Sequence, residues 1–444
     1  MYPPLPQEKA AEVLTHLIKL LEEGILKLTQ VARPSQERAN QGIMLGSLVC
    51  RDKNGSEVNL ITTSGNAKKI LPKNLSSFII VDSIVSPEEI EEALSENDKK
   101  IHEITEAIAG SQFQTESSSL QELKKQRELL CKRSLEKVHA LYNFHCVDNK
   151  VRSLKEICAT YNAGKLPPTG TGDCCAPKLF DYAFSHDLMP LSLAETRFPS
   201  DHKLYPPCDE RCGILLPAML GLRILYQDEA ICIVNKQSGL LSVPGRGEDK
   251  QDCIESRFIK LFGDRVQIKQ PAVHRLDMET SGIMILAFTK EAHRNLNMQF
   301  EAKEVKKEYL ALLDGILPQK GIAGHGQMEL FFRLDIDNRP HQIWDAEKGK
   351  SAVTEWKILG VERYHAPDGT CRNATRVLFM PHTGRTHQLR LASADSHGFG
   401  IPIIGDTLYG HCDKGERLML HAKKITFTHP VTGERMTLEC EPEF

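Results

Sequence analysis

The amino-acid sequence predicts an α+β protein. A largely antiparallel mixed sheet is expected in the C-terminal half, preceded by a small β-containing module and a coiled-coil-like helical hairpin. Two patterns lead to this fold class. After residue 220, short apolar runs of strand length alternate with turn residues and a few amphipathic helices. Between residues 86 and 145, apolar residues recur at the three- and four-residue steps that are typical of paired helices.

The first 85 residues combine a helix with a small β module. Apolar residues at helical spacing from Leu14 to Ile25 predict one amphipathic helix over residues 7–30. Two strand-like runs between residues 46 and 64 flank the turn Lys53-Asn54-Gly55, and this pattern predicts a β-hairpin.

Residues 86–145 are predicted to form an antiparallel helical hairpin. Ser86 and Glu89 form a capping-box pattern around Pro87, which suits the first position of a helix. Apolar residues then follow at alternating four- and three-residue steps around Asn97, and a second helix with charged outer faces comes after a polar loop. We expect either a structural arm or a surface for self-association.

Residues 146–215 are rich in Pro, Gly and Cys, and we interpret them as a connecting region before a C-terminal domain over residues 216–444. Four cysteines in this region could supply thiolates to a zinc ion, namely Cys174, Cys175, Cys208 and Cys212. Adjacent cysteines and a gap of three residues match the spacing of zinc knuckles poorly, however. A linker with buried free cysteines is therefore the default interpretation.

The composition is typical of a water-soluble protein of two or three domains. The chain has 444 residues, of which 41% are hydrophobic and 26% charged, and its apolar runs are far shorter than a membrane span. The N-terminal sequence lacks the pattern of a signal peptide. Thirteen scattered cysteines predict reduced thiols and a cytoplasmic location. The net charge of −3 argues against a protein that coats nucleic acid indiscriminately.

The stretch His274–Gly282 contains the strongest candidate for a catalytic group. In an extended chain Arg275 and Asp277 lie on the same face, because strand side chains alternate with period two. The apolar run Ile283–Phe288 that follows has the length of a buried strand, so Asp277 would be held on a rigid framework. Taken alone, an Asp before Thr and Ser is more often only a turn cap.

The wider sequence resembles the RluA-type RNA pseudouridine synthases over about residues 220–444. The stretch His274–Gly282 is similar to their signature His-Arg-Leu-Asp-x-x-Thr-Ser-Gly. Small departures occur at Gln237, at Ala392 and in a slightly longer segment over residues 393–400. The other similar stretches follow in the order of that family: Leu225–Gly245, Lys307–Tyr309, Gly384–Arg390, Pro402–Asp406, Tyr409–Gly410 and Leu420–Ala422.

The resemblance implies that the C-terminal domain converts uridine to pseudouridine in RNA without a cofactor or a metal. It implies that Asp277 is the essential carboxylate and that Tyr309 stacks on the base and takes part in proton transfer. Arg390 is expected to pair with Asp277, and Arg275 to fill the gap left when the uridine flips out of its stack. Further contacts with the RNA are expected from Lys307, Arg385, His387 and Gln388. We interpret His274 and His387 as packing or orienting residues.

Two other functions remain open at this point. A hydrolase acting on N-glycosides could use one carboxylate and one aromatic residue in a similar way, and a catalytically inactive RNA-binding protein could keep the same fold. Among RNAs, the resemblance is closest to enzymes that modify tRNA stem-loops and large-subunit ribosomal RNA. The helical hairpin would then be either an RNA clamp or the structural or self-association arm described above.

Overall fold

The computed structural model describes residues 4–30, 43–65, 68–71, 77–110, 118–162, 164–199, 201, 203–317 and 324–444. The chain divides into two compact units. The first comprises residues 1–223 and 260–263, and the second comprises residues 224–259 and 264–444.

The first unit contains a five-stranded sheet in the order β5-β3-β2-β8-β9 and two small strand pairs, β1 with β4 and β6 with β7. Its elements are α1 (Glu8–Glu22), β1 (Lys27–Gln30), β2 (Ile43–Arg51), β3 (Glu57–Thr63), β4 (Lys68–Leu71), β5 (Ile79–Ile80), α2 (Pro87–Gly110), α3 (Ser118–Leu141), β6 (Asn143–His145), β7 (Val151–Ser153), α4 (Leu154–Tyr161), α5 (Cys175–Ser185), β8 (Met189–Phe198), β9 (Leu204–Tyr205) and α6 (Cys212–Met219).

The predicted β-hairpin is present as the antiparallel pair β2 and β3. The predicted helix over residues 7–30 is too long, because α1 ends at Glu22 and Gly24 has a positive φ of 72°. A left-handed glycine just after the last turn is a common way for a helix to end. Ile25, which the helical spacing placed on the apolar face, is consequently 53% exposed.

The helical hairpin is formed by α2 and α3. The predicted capping box opens α2, since the Ser86 backbone N–H donates to Glu89 Oε2 at 2.8 Å and the Glu89 N–H donates to Ser86 Oγ at 3.2 Å. Within the helix pair, buried Asn97 donates through Nδ2 to Ser134 Oγ at 3.1 Å. A polar residue at such a position fixes the register of two helices at some cost in stability.

Residues 146–215 belong to the folded first unit and are not the linker that their composition predicted. β8 pairs with β2 along nearly its whole length, from Met189 opposite Arg51 to Phe198 opposite Ile43. α5 packs closely on β2, because a Cβ on Gly46 would lie 2.4 Å from Cys175 Cβ. Composition alone misled here, since buried backbone polar groups can be satisfied by pairing with strands far away in the sequence.

The second unit is a ten-stranded mixed sheet with helices packed on it. Its elements are β10 (Ile224–Gln227), β11 (Ile231–Lys236), α7 (Ile254–Phe262), β12 (Ser281–Ala287), α8 (Lys290–Glu301), β13 (Lys306–Leu313), β14 (His325–Leu334), β15 (Gln342–Trp344), β16 (Lys350–His365), β17 (Cys371–Pro381), α9 (Gln388–Ala394), β18 (Leu420–Thr428) and β19 (Arg435–Glu439).

The strand order is β10-β11-β12-β18-β13-β17-β16-β14-β15, and β19 pairs with β18. Only β12 and β18 run parallel among the described strand pairs of this sheet, so the predicted α+β class with a largely antiparallel mixed sheet is confirmed. One core lies where α8 covers β11, β12 and β18 through residues such as Leu296, Ile285 and Phe427. The sheet therefore gives β12 and β13 a rigid, central position.

Among the described helices, none has both the length and the apolar composition needed to cross a bilayer.

Candidate active site

The stretch with Asp277 is a loop that leads into the central strand β12. Every residue of β12 is buried, and its first two residues pair in parallel with β18. Gly282 has a φ of +118°, and a Cβ there would lie 2.4 Å from the carbonyl oxygen of Ala422. The glycine in the signature is therefore required by the close approach of two strands. This contact fixes where the Asp277 loop leaves the sheet.

A second loop, residues 237–242, holds the Asp277 loop from the other side. The Leu276 N–H donates to Ser242 Oγ at 3.0 Å, and the same hydroxyl donates to Leu276 O at 2.6 Å. Ser238 Oγ donates to Glu279 O at 2.6 Å, and the Gly239 N–H donates to Met278 O at 2.9 Å. These hydrogen bonds involve residues on both sides of Asp277. They fix its backbone without using its carboxylate.

Lys236, at the end of β11, reinforces this contact between the loops. Its side chain is fully buried, and Nζ donates to Gln237 O at 3.0 Å, Leu240 O at 2.7 Å and Met278 O at 2.8 Å. Burial lowers the pKa of Lys236 to about 7, while the nearby Asp277 charge acts in the opposite direction. One amino group thus ties both loops together next to the candidate carboxylate.

His274 has the packing role that we expected. Its Nε2 accepts the backbone N–H of Ile285 on β12 at 3.1 Å, and its ring lies 4.9 Å from that of Phe300. Burial lowers the pKa of this imidazole to about 3, so it is neutral at physiological pH.

All the residues predicted to act on the substrate line one cavity of about 470 Å³ in the second unit. They are Arg275, Asp277, Lys307, Tyr309, Arg385, His387, Gln388 and Arg390. A second cavity of about 390 Å³ shares four of these residues and is also lined by the loop Leu241–Gly245. Asp277 lines both cavities, so one carboxylate is reachable from two adjoining spaces.

The side chain of Asp277 is 23% exposed and faces His387. His387 Nε2 lies 4.0 Å from Asp277 Oδ1, and His387 Nδ1 lies 2.8 Å from the Tyr409 hydroxyl. That hydroxyl oxygen accepts the Gln342 N–H at 2.8 Å, so its own proton can be donated to Nδ1. This arrangement leaves the imidazole proton on Nε2, directed at the carboxylate. Burial lowers the pKa of His387, which keeps the ring neutral.

Tyr309 lies on β13, in the middle of the sheet, between Phe379 of β17 and Ala422 of β18. Burial raises the pKa of its phenol strongly, and the Asp277 charge raises it further. Asp277 and Tyr309 both line the cavity of about 470 Å³. The phenol therefore keeps its proton at neutral pH.

The predicted pairing of Arg390 with Asp277 is not what the structure shows. The Arg390 guanidinium, 3% exposed, donates through Nε and Nη2 to the two carboxylate oxygens of Asp406 at 2.9 and 2.6 Å. Nη2 also lies 3.2 Å from Glu279 Oε2. Asp406 is completely buried, so water cannot solvate its carboxylate. The two hydrogen bonds from the Arg390 guanidinium replace that solvation. Arg390 and Asp277 still interact electrostatically without forming an ion pair.

The residues expected to contact RNA fall into two groups. Arg275 and Arg385 are exposed, and Lys307 is half-buried, so that three cations surround the cavity. Gln388 is different. Its amide oxygen accepts from Thr383 Oγ1 and the Arg385 N–H, and its amide nitrogen donates to Val353 O and Thr354 Oγ1. These four bonds use the whole amide, so Gln388 holds the turn before α9 and has nothing left to offer a substrate.

Four side chains of the site were missed from the sequence: Lys236, Glu279, Asp406 and Tyr409. Asp406 and Tyr409 stood inside stretches already matched to the family, but nothing local indicated that they would reach Arg390 and His387. Lys236 did carry a signal, because an ionisable residue that ends an apolar strand run needs a buried partner.

A family model matches the part of the chain that contains this site. The model described as RNA pseudouridylate synthase matches residues 230–395, a range that contains the signature loop, β13 and all of α9.

Comparison with individual proteins shows to which type of RNA pseudouridine synthase this chain is similar. The dual-specificity RNA pseudouridine synthase RluA of Haemophilus influenzae is 43% identical over 226 residues, which are 50% of this chain and 94% of that protein. RluA of Escherichia coli is 40% identical over the same lengths. The solved structure of human RNA pseudouridylate synthase domain containing 1 is 26% identical and covers 50% of this chain and 84% of its own, with a TM-score of 0.40. By its identity to nearly complete relatives, the chain belongs to the RluA-type RNA pseudouridine synthases.

Proposed function

We propose that this enzyme isomerises specific uridines to pseudouridine in structured RNA, in tRNA stem-loops, large-subunit ribosomal RNA or both, with Asp277 as the essential carboxylate. The observation that carries the proposal is the convergence of Asp277, Tyr309 and three cations on one cavity in a chain of this family.

The reaction breaks the bond between N1 and C1′, turns the base, and joins C1′ to C5. The proton on C5 is then lost, and N1 gains a proton, so the product is an isomer of the substrate. An ionised carboxylate beside the sugar can attack or assist at C1′ or C2′. Asp277 fits this role because its carboxylate reaches the cavity and faces the His387 N–H, with the Arg390 charge nearby.

Tyr309 and Arg275 complete the proposed mechanism. The ring of Tyr309 offers a surface on which the flipped base can stack, and its neutral hydroxyl can pass on the proton released from C5. Arg275 is exposed and, within the described part of the chain, makes no hydrogen bond or ion pair, so it is available to occupy the gap in the RNA stack. Lys307 and Arg385 line the same cavity, and we expect them to contact phosphate.

The test replaces Asp277 by Asn, which keeps the size of the side chain and removes its charge. We expect no pseudouridine in a short stem-loop RNA that the unchanged enzyme modifies without added metal or nucleotide, and an unaltered circular dichroism spectrum. A tenth of the original activity in the pure variant would remove Asp277 from its role. Release of free uracil by the unchanged enzyme would instead identify an N-glycoside hydrolase, and absence of both products an inactive RNA-binding protein.

The first unit is proposed to govern which RNA is bound, with the α2–α3 hairpin either clamping RNA or mediating self-association. The charged outer surface of the hairpin supports this division of labour, as does the fact that every residue lining the cavity belongs to the second unit. We place the enzyme in the cytoplasm, because its thirteen cysteines are all free. Mapping pseudouridines in total RNA with and without the gene would identify the target, and sedimentation would measure self-association.

A further inference from the structure

Three cysteines of the first unit converge although they are distant in the sequence. Cys174 precedes α5, Cys208 lies in the loop before α6, and Cys212 is the first residue of α6. Their Sγ atoms all lie within 4.8 Å of one another, and Cys174 Sγ is 4.0 Å from Cys208 Sγ. Cys175, the fourth cysteine of the sequence pattern, points elsewhere, and its thiol donates to Met44 O at 3.6 Å.

The separations suit a shared metal ion better than a disulfide. A zinc ion binds thiolate sulfur at about 2.3 Å, so two sulfurs at corners of a tetrahedron are roughly 3.8 Å apart. The observed 4.0 Å between Cys174 and Cys208 is close to that edge. A disulfide would need the same atoms at about 2.05 Å.

The backbone around the cluster favours thiolates. α5 and α6 both begin at the cluster, with Cys174 as the N-cap residue of the one and Cys212 inside the first turn of the other. The amino-terminal ends of two helices therefore lie beside the cluster, and their partial positive charge favours thiolates there.

We propose that Cys174, Cys208 and Cys212 bind one zinc ion that joins the start of α5 to the start of α6. The described residues supply three ligands, and exposure of Cys208 leaves the fourth position to a water molecule or another small ligand. The ion would hold together two Pro- and Gly-rich segments, because Cys174 and Cys208 are 34 residues apart in the sequence. A bound zinc ion would explain why residues 146–215 are folded although they are rich in Pro, Gly and Cys.

The first test measures metal in the full chain, purified in a reducing buffer without chelator and, where it arrives empty, titrated with Zn²⁺ against a chromophoric chelator. We expect about one zinc per chain, held at micromolar affinity or tighter, and less than about a tenth of that in Cys208→Ser and in Cys212→Ser. Cys131→Ser is the matched control, since Cys131 is an exposed cysteine of the same unit on α3. This control should keep its zinc.

The second test does not depend on folding of the variants. The metal-free, unaltered chain is titrated with Co²⁺, and a tetrahedral site with three thiolates should give intense visible bands and a sulfur-to-cobalt charge-transfer band that saturate at one equivalent. Addition of Zn²⁺ should bleach these bands and raise the unfolding midpoint of the chain. The proposal is overturned if the unaltered chain takes up no metal, if Cys131→Ser loses as much as Cys208→Ser, if the cluster binds iron with labile sulfide, or if a Cys174–Cys208 disulfide forms in place of metal uptake.

Discussion

Tyr309 keeps its proton at neutral pH because burial and the neighbouring Asp277 carboxylate both raise the pKa of its phenol. A protonated hydroxyl next to the reacting base can accept or relay a proton only through a defined hydrogen bond, whereas the ring can stack without it. We therefore expect Tyr309→Phe to bind RNA within a few-fold of the unchanged enzyme while turnover falls by roughly 10²-fold or more. Single-turnover rates and filter-binding measurements on one stem-loop separate the two effects. Equal losses in binding and in rate would make Tyr309 a stacking surface alone.

Lys236 gives the site a predictable pH dependence. Its pKa is about 7 in the folded chain against an ordinary value of 10.5, so between pH 7 and about 10 the unfolded chain binds more protons than the folded one. The free energy of unfolding therefore rises with pH over this interval. We expect Lys236→Met to lose this rise and to turn over at least about 10-fold more slowly, because the Asp277 loop loses its anchor at Met278 O.

Urea unfolding at pH 7 and pH 9 measures the first effect for Lys236, and single-turnover rates measure the second. Lys290→Met is the control, since Lys290 is an exposed lysine at the start of α8 and should leave both quantities unchanged. The same pH slope in Lys236→Met as in the unchanged chain would show that this lysine does not change its protonation on folding.

At the scale of elements, the junction of β12 and β18 determines where the signature loop leaves the sheet. Gly282→Ala would place a methyl group 2.4 Å from the Ala422 carbonyl and a side chain at a φ of +118°. We expect a loss of more than about 3 kcal/mol in the free energy of unfolding, because both strand separation and backbone conformation must change. Gly433 has a φ of +73°, and a methyl group added there would meet no atom within 4 Å. A substitution at this position therefore measures the cost of the backbone conformation without a steric clash.

Gly433→Ala should cost only about 1–2 kcal/mol, the usual penalty of a left-handed residue with a side chain. Guanidinium unfolding of both glycine variants, followed by tryptophan fluorescence, gives the comparison. If the two variants lose equal stability, the close contact between β12 and β18 is not what requires the glycine.

At the scale of the whole molecule, the second unit is expected to carry the entire chemical step. Half of this chain matches 94% of the Haemophilus influenzae relative, so the other half has almost no counterpart in that protein. A truncation near Ile214 would begin inside α6, so the better start is Leu222, just before β10. We expect the shortened protein to unfold cooperatively and to modify a short stem-loop at saturating RNA at the full-length rate, with a changed RNA affinity or preference. A folded truncation with no measurable rate would mean that the first unit contributes to catalysis.

The local features of this protein were predictable from residue types alone. The order of short strands predicted the α+β class, and the Ser86 and Glu89 pattern predicted the start of α2. Both depend on neighbours in the chain, on side-chain period or on a turn. The residues around the cavity were predicted from the family resemblance instead. The length of α1 was overestimated because a glycine in the left-handed region, rather than a change in apolar spacing, ends it.

The partners of the buried polar groups were not predictable from the sequence. Arg390 pairs with Asp406 instead of Asp277. The amide of Gln388 forms hydrogen bonds within the turn before α9, and Lys236 anchors the Asp277 loop. Residues 146–215 proved to be folded for the same reason, since β8 finds its partner β2 more than a hundred residues earlier. A buried polar group takes whichever partner the fold brings near, and pairing across long stretches of chain leaves no trace in local sequence.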